Sequence, residues 1–394
     1  MIRQIETESI YLDHAATTPV DPDVLRVMAP WFTEFFGNPS SIYQLGQQSR
    51  AALDTARAQC ARVLGCHPSE IVFTSGATES NNLALAGSVW ALRERSPGGP
   101  PPHIVTTAVE HHAVLHKAEW LESIGFALTI VPVNELGVVD PAAIAGAIRP
   151  ETALISVMYA NNETGAIQPI AEIAAIARAH QIPLHSDAVQ AAGLLPLVVD
   201  ELGVDLLSLS AHKFYGPKGV GLLYVRRGTP LSWQQLGGGQ ESGRRGGTEN
   251  VPLIVGMGAA LAIAERDREA YARDCRILRD RLFSEIEERV EGITLNGPSL
   301  ADGRLANNLN LAIDGVQGET VLLNLDMAGI AASAGSACTT GNAQPSHVLK
   351  AMGYSDEQCR TSIRLTVGRC NDDDQIIDAA ESLVDAVLRI RELA

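Results

Sequence analysis

The sequence lacks the features that mark membrane-spanning and secreted proteins. Its longest apolar run, Val251 to Ala264, is too short to cross a bilayer. The first residues, MIRQIETESIYLD, contain early acidic side chains and no apolar stretch, so we expect no secretory signal. The expectation is therefore a cytoplasmic protein without a membrane partner.

Cysteine is scarce and shows no paired spacing. The six cysteines form no C-x-x-C pair; they are Cys60, Cys66, Cys275, Cys338, Cys359 and Cys370. In a chain of 394 residues this argues against a disulfide framework and against a structural zinc site. Cys338 lies in ASAGSACTTGNAQPSHVL (332–349), where no large apolar side chain precedes Val348. Nothing nearby in the sequence could bury this thiol, although a cysteine without a partner is usually buried.

Positive charge is also scarce. The chain has 30 Lys and Arg residues against 46 Asp and Glu residues, a formal net charge of −16. Neither nucleic acid nor an anionic membrane is therefore an expected partner. Only four of the basic residues are lysines: Lys117, Lys213, Lys218 and Lys350. A chemistry that uses a lysine amine has few candidates here.

Between residues 70 and 226 the chain alternates short β-rich runs with helical patterns. Seven runs have the composition of buried strands: EIVFTSG, HIVTTAVEH, FALTIVPV, TALISVMYA, IPLHSDA, DLLSLSA and GVGLLYVRR. Helical spacing appears between them, in stretches such as ESNNLALAGSVWALRER and PIAEIAAIARAH. Repeated βα units predict an α/β fold with a mainly parallel sheet that helices cover on both faces.

The remainder of the chain predicts a second, smaller α+β domain. A long helix from Pro252 to about Val290 should lead into it. Its strands would be GITLNG, NNLNLAIDG and IRLTVGR. Two domains also agree with a length of 394 residues, which exceeds one simple core.

Polar or glycine-rich turns follow several predicted strands. They are TSGATES, AVEHH, ANNETG, SDAVQ and SAHK. Because ligands of open α/β sheets bind at the carboxyl ends of the strands, we expect one site built from these distant segments. The stretch LGGGQESGRRGGTEN (236–250) is either a ligand loop or a flexible linker, and its composition leaves both open.

Lys213 is the strongest candidate for amine chemistry. It follows a buried strand in SLSAHKFYGPKG, and burial lowers the pKa of a lysine, which makes the neutral amine available for a Schiff base. The segment taken alone also fits an ordinary surface lysine. Lys218 lies in a G-P-K-G turn, and Lys117 and Lys350 lie on helical stretches, so these three are weaker candidates.

Two other turns have the chemistry of a cofactor site. Asp187 ends a predicted strand, where its carboxylate could hold a protonated ring nitrogen, as pyridoxal phosphate enzymes require, or could cap a helix. FTSGATESNN combines a strand, a glycine turn and a helix that begins near Thr78. Backbone N–H groups at a helix N-terminus bind phosphate.

The segment AVEHHAVLH contains His111, His112 and His116. The last two are spaced i, i+4, which could suggest a metal pair, but no third ligand is evident and we expect no metal site. Consecutive helical residues point about 100° apart, so His111 and His112 cannot both face one site. A single histidine that acts as an acid–base or a stacking group is the preferred interpretation.

A strand-end lysine, a strand-end aspartate, a phosphate-type helix start and a histidine together indicate a pyridoxal phosphate site. With these residues the chain resembles the cysteine desulfurases of the NifS/IscS type, in the class V aminotransferase group of fold-type I pyridoxal phosphate enzymes. The motifs that carry the resemblance cover nearly the whole length: YLDHAATTPV, FGNPSS, FTSGATESNN, EHHAVL, ANNETG, HSDAVQ, SAHKFYGPKG, GGGQE, SAGSACT, PSHVL and IRLTVGR.

The resemblance implies roles for the cofactor-binding residues. Lys213 would form the Schiff base with pyridoxal 5'-phosphate, Asp187 would pair with its pyridine nitrogen, and Gln190 would hydrogen-bond its phenolic oxygen. His111 would stack on the ring and take part in proton transfer. The residues implied to hold the phosphate are Ala77, Thr78, Ser210 and His212, together with Thr248 from the neighbouring subunit of a homodimer.

The resemblance also implies the substrate and the reaction. Asn162 and Arg364 would hold the carboxylate of L-cysteine, and the arginine fork suits such a group. Cys338 aligns with the catalytic cysteine of the family; its thiolate, the reactive form, would take the sulfur and leave L-alanine. The resulting persulfide would pass to sulfur-acceptor proteins, such as an iron–sulfur scaffold protein or enzymes of tRNA thiolation.

The family pattern further implies a division of the chain. A large pyridoxal phosphate-binding domain would cover residues 15–255. A small α+β domain, which carries the catalytic cysteine loop, would cover residues 1–14 and 256–394. Two positions depart from the family pattern: Tyr43 stands where a histidine is common, and Gly246 stands in place of the serine of an R-S-G-T sequence.

Two alternatives remain beside the desulfurase. The chain could be a selenocysteine lyase or another class V aminotransferase, although transamination needs no thiol and Cys338 therefore disfavours it. It could also be a non-catalytic scaffold that keeps only the fold. The presence of Lys213, Asp187 and Cys338 together argues against that possibility.

Overall fold

A computed structural model of the protein describes residues 9–334 and 345–393. The strands in these ranges are β1 (Ile10–Tyr11), β2 (Ile71–Thr74), β3 (His103–Thr107), β4 (Ala127–Val131), β5 (Thr152–Ser156), β6 (Leu184–Asp187), β7 (Leu206–Ser210), β8 (Gly221–Val225), β9 (Ile293–Leu295), β10 (Asn308–Ile313), β11 (Ile330–Ala331) and β12 (Ser362–Thr366).

The α-helices in the same ranges follow the predicted alternation with the strands. They are α1 (Pro22–Met28), α2 (Pro30–Thr33), α3 (Gln44–Leu64), α4 (Ala77–Arg95), α5 (His112–Ser123), α6 (Pro141–Ala147), α7 (Ile170–Ala179), α8 (Val199–Leu202), α9 (Val251–Glu287), α10 (Gly318–Met327), α11 (His347–Ala351), α12 (Asp356–Arg360) and α13 (Asp373–Leu393). None of these helices is long and apolar enough to cross a membrane.

The central sheet contains all seven strands that the sequence predicts. Its order is β2-β8-β7-β6-β5-β3-β4, and β3 to β7 pair in parallel, whereas β8 is antiparallel to both β7 and β2. The mainly parallel α/β fold is thereby confirmed. The strand order reverses its direction between β3 and β5, and such a switch point is where doubly wound sheets bind their ligands.

Successive residues of the central strands face opposite sides of the sheet. Ile104 and Leu154 belong to the core beneath α4 and α5, whereas Val105 and Ile155 belong to the core on the side of α3, α7 and α9. This period of two places apolar side chains on both faces. Both faces are therefore buried, as parallel sheets require.

A buried histidine connects three strands of this sheet. His185 lies on β6, and its ring nitrogens contact the hydroxyl oxygens of Ser156 on β5 (2.8 Å) and Ser208 on β7 (2.9 Å). Burial lowers the pKa of His185 to about 3, so its imidazole is neutral at physiological pH. One side chain thus connects three of the strands whose ends carry predicted site residues.

The C-terminal part of the chain forms a separate core. Strands β9, β10 and β12 pair in an antiparallel sheet, and β1 pairs in parallel with β11. The long helix α9 joins the two cores, because its Met257 packs in the core of the central sheet and its Leu282 packs in the C-terminal core. The division at residues 255 and 256 falls near the start of this helix and stays a prediction.

Gly221 offers a test of the packing at the start of β8. A Cβ atom at this position would lie 2.6 Å from the carbonyl oxygen of Leu209 and 2.7 Å from the backbone of Gly76. Gly221→Ala should therefore force these backbones apart and lower the free energy of unfolding by about 1–3 kcal/mol, measured by urea denaturation.

Gly146→Ala is the matched control for this substitution. Gly146 lies in α6, and a Cβ atom there would meet nothing within 4 Å. We expect a gain of up to about 1 kcal/mol from improved helix propensity. Equal stabilities of the two variants would contradict the close approach at Gly221.

Candidate functional site

A cavity of about 620 Å³ lies at the carboxyl ends of the central strands. Its walls also include Ala15, Ala16 and Thr17 from the N-terminal segment. Ten of the predicted site residues line it: Ala77, Thr78, His111, Asn162, Asp187, Gln190, Ser210, His212, Lys213 and Arg364. The fold therefore brings together residues that are separated by up to 287 positions in the sequence.

Two predicted residues are not part of this cavity as described. Thr248 lines a neighbouring cavity of about 240 Å³, which shares Ser75 and Gly219 with the first. Cys338 lies outside the described residues.

The N-terminal segment holds the candidate lysine. Lys213 follows β7, and its Nζ donates hydrogen bonds to the carbonyl oxygens of Ala15 (2.6 Å) and Ala16 (2.7 Å). The side-chain amide of Gln190 donates to the same Ala15 oxygen at 3.0 Å. The backbone of residues 15 and 16 thus orients both side chains. In the sequence, YLDHAATTPV was recognisable only as a family motif, without a role for its individual residues.

The same segment orients His212. Its Nδ1 lies 3.1 Å from the hydroxyl of Thr17, and its carbonyl oxygen accepts bonds from the backbone N–H (2.9 Å) and hydroxyl (3.0 Å) of Thr18. Burial, assisted by the positive charges of Lys213 and Lys218, lowers the pKa of His212 to about 4. A neutral imidazole therefore borders the cavity at physiological pH.

The carboxylate of Asp187 is held by an asparagine that the sequence interpretation missed. Asp187 ends β6 and is 5% exposed. Its Oδ2 accepts a hydrogen bond from Asn81 Nδ2 at 2.6 Å, and its Oδ1 accepts one from the Val189 amide at 3.1 Å. Asn81 lies in α4, within the TSGATESNN motif, but no local pattern shows that it faces β6. An oriented, buried carboxylate of this kind suits a protonated ring nitrogen.

The turn between β2 and α4 has the form of a phosphate site. The 19-residue helix α4 begins at Ala77, and no side chain caps its N-terminus, although Gly76, Ala77 and Thr78 border the cavity. The first amides of a helix have no partner within the helix and favour anions. A Cβ atom placed on Gly76 would have the Ser210 hydroxyl oxygen as its nearest neighbour, at 3.8 Å. Ser210 thus lies beside these amides.

His111 is the N-cap residue of α5 and reaches the cavity with a defined tautomer. Its Nδ1 accepts a hydrogen bond from the Ala113 amide at 3.1 Å, so in the neutral ring the proton is on Nε2. Burial lowers the pKa of His111, and the nearby Asp187 carboxylate opposes this shift only in part. His111 therefore presents a neutral imidazole.

The neighbouring histidines stack on one another. The ring centroids of His112 and His116 are 4.6 Å apart with an interplanar angle of 22°, and those of His112 and His347 are 4.5 Å apart. In the part of the chain that the structure describes, no group of three His, Cys, Asp or Glu residues could hold a metal ion.

Arg364 reaches the cavity from β12 in the C-terminal sheet. Its Nη1 donates to the Asn162 carbonyl oxygen at 2.8 Å, and its Nη2 donates to Asp13 Oδ1 at 2.7 Å. The guanidinium is 3% exposed. A buried guanidinium at the wall of a cavity is a binding group for a carboxylate.

Comparison with known proteins decides the family. The model of the family "Aminotransferase class-V" matches residues 10–377. The chain belongs to the aminotransferase class-V family. It is 48% identical to a cysteine desulfurase IscS of Dictyoglomus turgidum over 91% of this chain and 89% of the relative. It is 46% identical to a cysteine desulfurase IscS of Methanosarcina thermophila over 99% of this chain and 94% of the relative.

Solved structures agree with this assignment. A NifS-like protein superposes with a TM-score of 0.89 at 36% identity, covering 97% of this chain and 100% of its own. The protein SspA in complex with cysteine superposes with a TM-score of 0.80 at 38% identity, covering 91% of this chain and 99% of its own. The resemblance to the NifS/IscS cysteine desulfurases is confirmed, and this class-V family is one of pyridoxal phosphate-dependent enzymes.

The glycine-rich stretch of this class-V chain is held by two ion pairs that are at least partly buried. Glu241 accepts bonds from both terminal nitrogens of Arg57 (2.9 and 2.5 Å) and from the Phe73 amide (3.0 Å). Arg245 pairs with Glu79, in the first turn of α4, at 2.8 Å. These contacts attach residues 236–250 to β2 and to the phosphate-type turn. A flexible linker would not make such contacts.

The departure at Gly246 has a packing reason. A Cβ atom at Gly246 would lie 2.8 Å from both the Cα and the backbone nitrogen of Gly237. The Gly246 amide also donates to the Gln235 carbonyl at 2.9 Å. A serine at this position would push the backbones of Gly246 and Gly237 apart. Glycine lacks the serine hydroxyl but allows these two backbones to lie close together. Tyr43, the other departure, is an exposed residue that precedes α3.

Glu110 is a second residue that the sequence interpretation missed. It is fully buried, and its Oε1 accepts bonds from the Thr107 hydroxyl and the Met158 amide, both at 2.8 Å. Its Oε2 has no hydrogen-bond partner among the described residues. The carboxyl group thus ties the end of β3, next to His111, to the segment that follows β5. Burial raises the pKa of Glu110 to about 8.

Glu110→Gln should change how stability depends on pH. A glutamate in an unfolded chain ionises near pH 4.3, whereas the folded protein keeps the Glu110 proton up to a pKa of about 8. Between these values the unfolded chain binds fewer protons, so the wild type loses stability as the pH rises. Glutamine does not titrate and can keep both Oε1 bonds. We expect the variant to gain stability relative to the wild type from about pH 5 to about pH 8, measured by urea midpoints.

Glu119→Gln, at an exposed position of α5, is the control and should show no such gain. Parallel stability curves for Glu110→Gln and the wild type would mean that Glu110 is ionised in the folded protein.

Proposed function

We propose that this protein is a pyridoxal phosphate-dependent cysteine desulfurase that transfers the sulfur of L-cysteine to Cys338. The observation that carries the proposal is the single cavity in which Lys213, Asp187 and Arg364 meet. It occurs in a chain 46–48% identical to cysteine desulfurases over most of its length.

The residues of the cavity fit the cofactor. A cavity of about 620 Å³ lies within the range of small-molecule sites. Asp187 would hold the pyridine nitrogen, Gln190 the phenolic oxygen, and Lys213 would be the point of covalent attachment. The groups that would hold the phosphate are the backbone of Ala77 and the side chains of Thr78, Ser210 and His212. In a dimer, Thr248 of one subunit would reach the phosphate bound by the other.

Pyridoxal phosphate supplies an electron sink that stabilises negative charge at the α-carbon of a bound amino acid. The chain's own residues then perform the positioning and the proton transfers. Arg364 and the side chain of Asn162 would bind the substrate carboxylate, and the Lys213 amine would remove the α-proton. Neutral His111, with its proton on Nε2, can exchange a proton at the substrate sulfur.

Cys338 would complete the reaction. Its thiolate attacks the substrate sulfur, the bond between sulfur and Cβ breaks, and an S–S bond forms on Cys338. The Cβ carbon gains a proton, so L-alanine leaves and the protein retains a persulfide. We infer that this persulfide serves sulfur-acceptor proteins, such as an iron–sulfur scaffold protein, in the reducing cytoplasm.

Turnover of L-cysteine by purified holoenzyme tests the proposal. We expect sulfide and L-alanine in equal amounts when a reductant is present. Lys213→Ala should lower the rate by about 10²–10⁴-fold, because the proton-transfer group is removed. Lys218→Ala is the matched control, because Lys218 lines the same cavity. This variant retains Lys213, so borohydride should still trap a covalent link between the cofactor and the protein.

Cys338→Ala should abolish sulfide release, whereas Cys370→Ala, at an exposed cysteine, should not. Sulfide release that survives Cys338→Ala would contradict the sulfur-transfer step. Transfer of the amino group to a keto acid, with no release of sulfide, would indicate another class V aminotransferase. Turnover of selenocysteine but not of L-cysteine would indicate a selenocysteine lyase.

We also propose that the protein is a homodimer. Large apolar side chains are exposed on α1 and α2, in the segment between α2 and α3, and in the glycine-rich stretch; they are Leu25, Val27, Phe32, Phe36, Ile42 and Leu236. Val27 also lines an apolar depression of about 520 Å³ between α3 and α9, together with side chains that include Trp31, Phe35 and Val255. Exposed apolar surface of this kind is typical of a protein–protein interface. Leu236 belongs to the same stretch as Thr248, which agrees with a shared cofactor site.

Phe36→Glu should weaken this dimer. Phe36 is 69% exposed, and a carboxylate there would be buried without a partner between two subunits. By light scattering coupled to gel filtration, we expect the wild type at twice the chain mass of 41.9 kDa and the variant shifted towards one chain. Met327→Glu, at an exposed residue of α10, is the control and should leave the mass unchanged. A wild type of single-chain mass would refute the proposal.

A further inference from the structure

The N-terminal segment contacts the candidate arginine as well as the candidate lysine. Asp13 Oδ1 accepts a hydrogen bond from Arg364 Nη2 at 2.7 Å, and the pair is largely buried, with side-chain exposures of 17% for Asp13 and 3% for Arg364. Two residues further on, the Ala15 carbonyl accepts from Lys213 Nζ. A single short segment therefore touches both groups that would handle an amino acid substrate.

The guanidinium of Arg364 is held between two segments of the chain. Its Nη1 donates to the Asn162 carbonyl, which belongs to the segment after β5, whereas its Nη2 donates to Asp13, in the segment after β1. Its backbone pairs with Ser333, the amide of Arg364 donating to the Ser333 carbonyl at 2.6 Å. Of these contacts, the one with Asp13 is the contact in which a charged side chain accepts a hydrogen bond from the guanidinium.

Asp13 is itself held by its surroundings. Its carbonyl oxygen accepts bonds from the Tyr11 hydroxyl (3.0 Å) and from the Ala16 amide (2.9 Å), and its backbone bridges to Thr366 on β12. The Tyr11 hydroxyl oxygen also lies 2.9 Å from the Thr17 carbonyl oxygen, so its one proton is shared between the two carbonyls and closes the segment into a compact turn. The carboxylate thus projects from a fixed backbone.

We propose that Asp13 is a positioning residue, which holds the Arg364 guanidinium in the orientation that receives the substrate carboxylate. This inference rests on the proposed function. An arginine side chain loses rotamer entropy when it is fixed, and the contact with Asp13 fixes Arg364 before the substrate arrives. Asp13 touches no reacting atom, so its effect should appear in substrate binding rather than in the chemical step.

Steady-state kinetics of the holoenzyme separates these two effects. A hydrogen bond to a charged group contributes about 1.5–3 kcal/mol, which corresponds to about tenfold or more in binding. We expect Asp13→Ala to raise KM for L-cysteine about tenfold or more, with kcat within about twofold of the wild type. Asp13→Asn keeps one acceptor oxygen for Nη2 and should restore part of the loss.

Asp21→Asn is the matched control. Asp21 also connects the N-terminal segment to the residues after β12, since its Oδ2 lies 3.0 Å from Arg369 Nη1, and its side chain is 18% exposed. It does not contact Arg364. We expect KM and kcat of this variant to match the wild type. An equal rise of KM in Asp13→Asn and Asp21→Asn would overturn the proposal, because loss of any ion pair at this junction would then suffice.

Ligand binding tests the role of the carboxylate directly and does not require turnover. Asp13→Ala should weaken binding of L-alanine, followed by the absorbance of the bound cofactor, but should leave binding of cysteamine, which has no carboxylate, unchanged. Equal weakening of both ligands, or a fall in kcat with KM unchanged, would overturn the proposal. A wild type that binds L-alanine but releases no sulfide would contradict the proposed desulfurase, while the two titrations would still decide the role of Asp13.

Discussion

Parallel pairing of β3, β5, β6 and β7 is the constraint on which the candidate site depends. Parallel strands end at the same edge of a sheet, so the turns that follow them must converge. His111, Asn162, Asp187 and Lys213 reach one cavity for this reason. The pairing is supported from inside the sheet by His185, which contacts a serine on each neighbouring strand. A polar side chain in a buried sheet is tolerated here because both of its ring nitrogens have partners.

The electrostatic character of the cavity follows from burial. Desolvation lowers the pKa values of His111 and His212, so both imidazoles are neutral at physiological pH. Two of the charged groups at its walls are oriented by hydrogen bonds: Asp187 by Asn81, and Arg364 by Asp13. The site thus presents oriented charges, which bind an anionic ligand group at little cost of reorganisation.

Local sequence predicted much of this arrangement. All seven central strands, the long bridging helix and the three strands of the C-terminal sheet were expected from periodicity, and strand-end polarity indicated the cavity. Asn81, Glu110 and the segment from Asp13 to Thr18 were not assigned a role. Each of them acts through a partner at least 48 positions away in the chain, and no local pattern contains that information. The short pair of β1 and β11 was missed for the same reason, since two residues are too few to show a period.

Composition and periodicity by themselves determined that this chain is an α/β protein with one candidate amine, Lys213, after a buried strand. They also showed that Cys338 has no apolar cluster near it in the sequence. The ordered motifs determined the family. Only the tertiary structure decided which carboxylate meets which cation: Asp13 contacts Arg364, whereas Asp21 contacts Arg369. Both aspartates lie in the N-terminal segment, and their partners differ because β12 carries Arg364 to the wall of the cavity, whereas Arg369 follows the end of that strand.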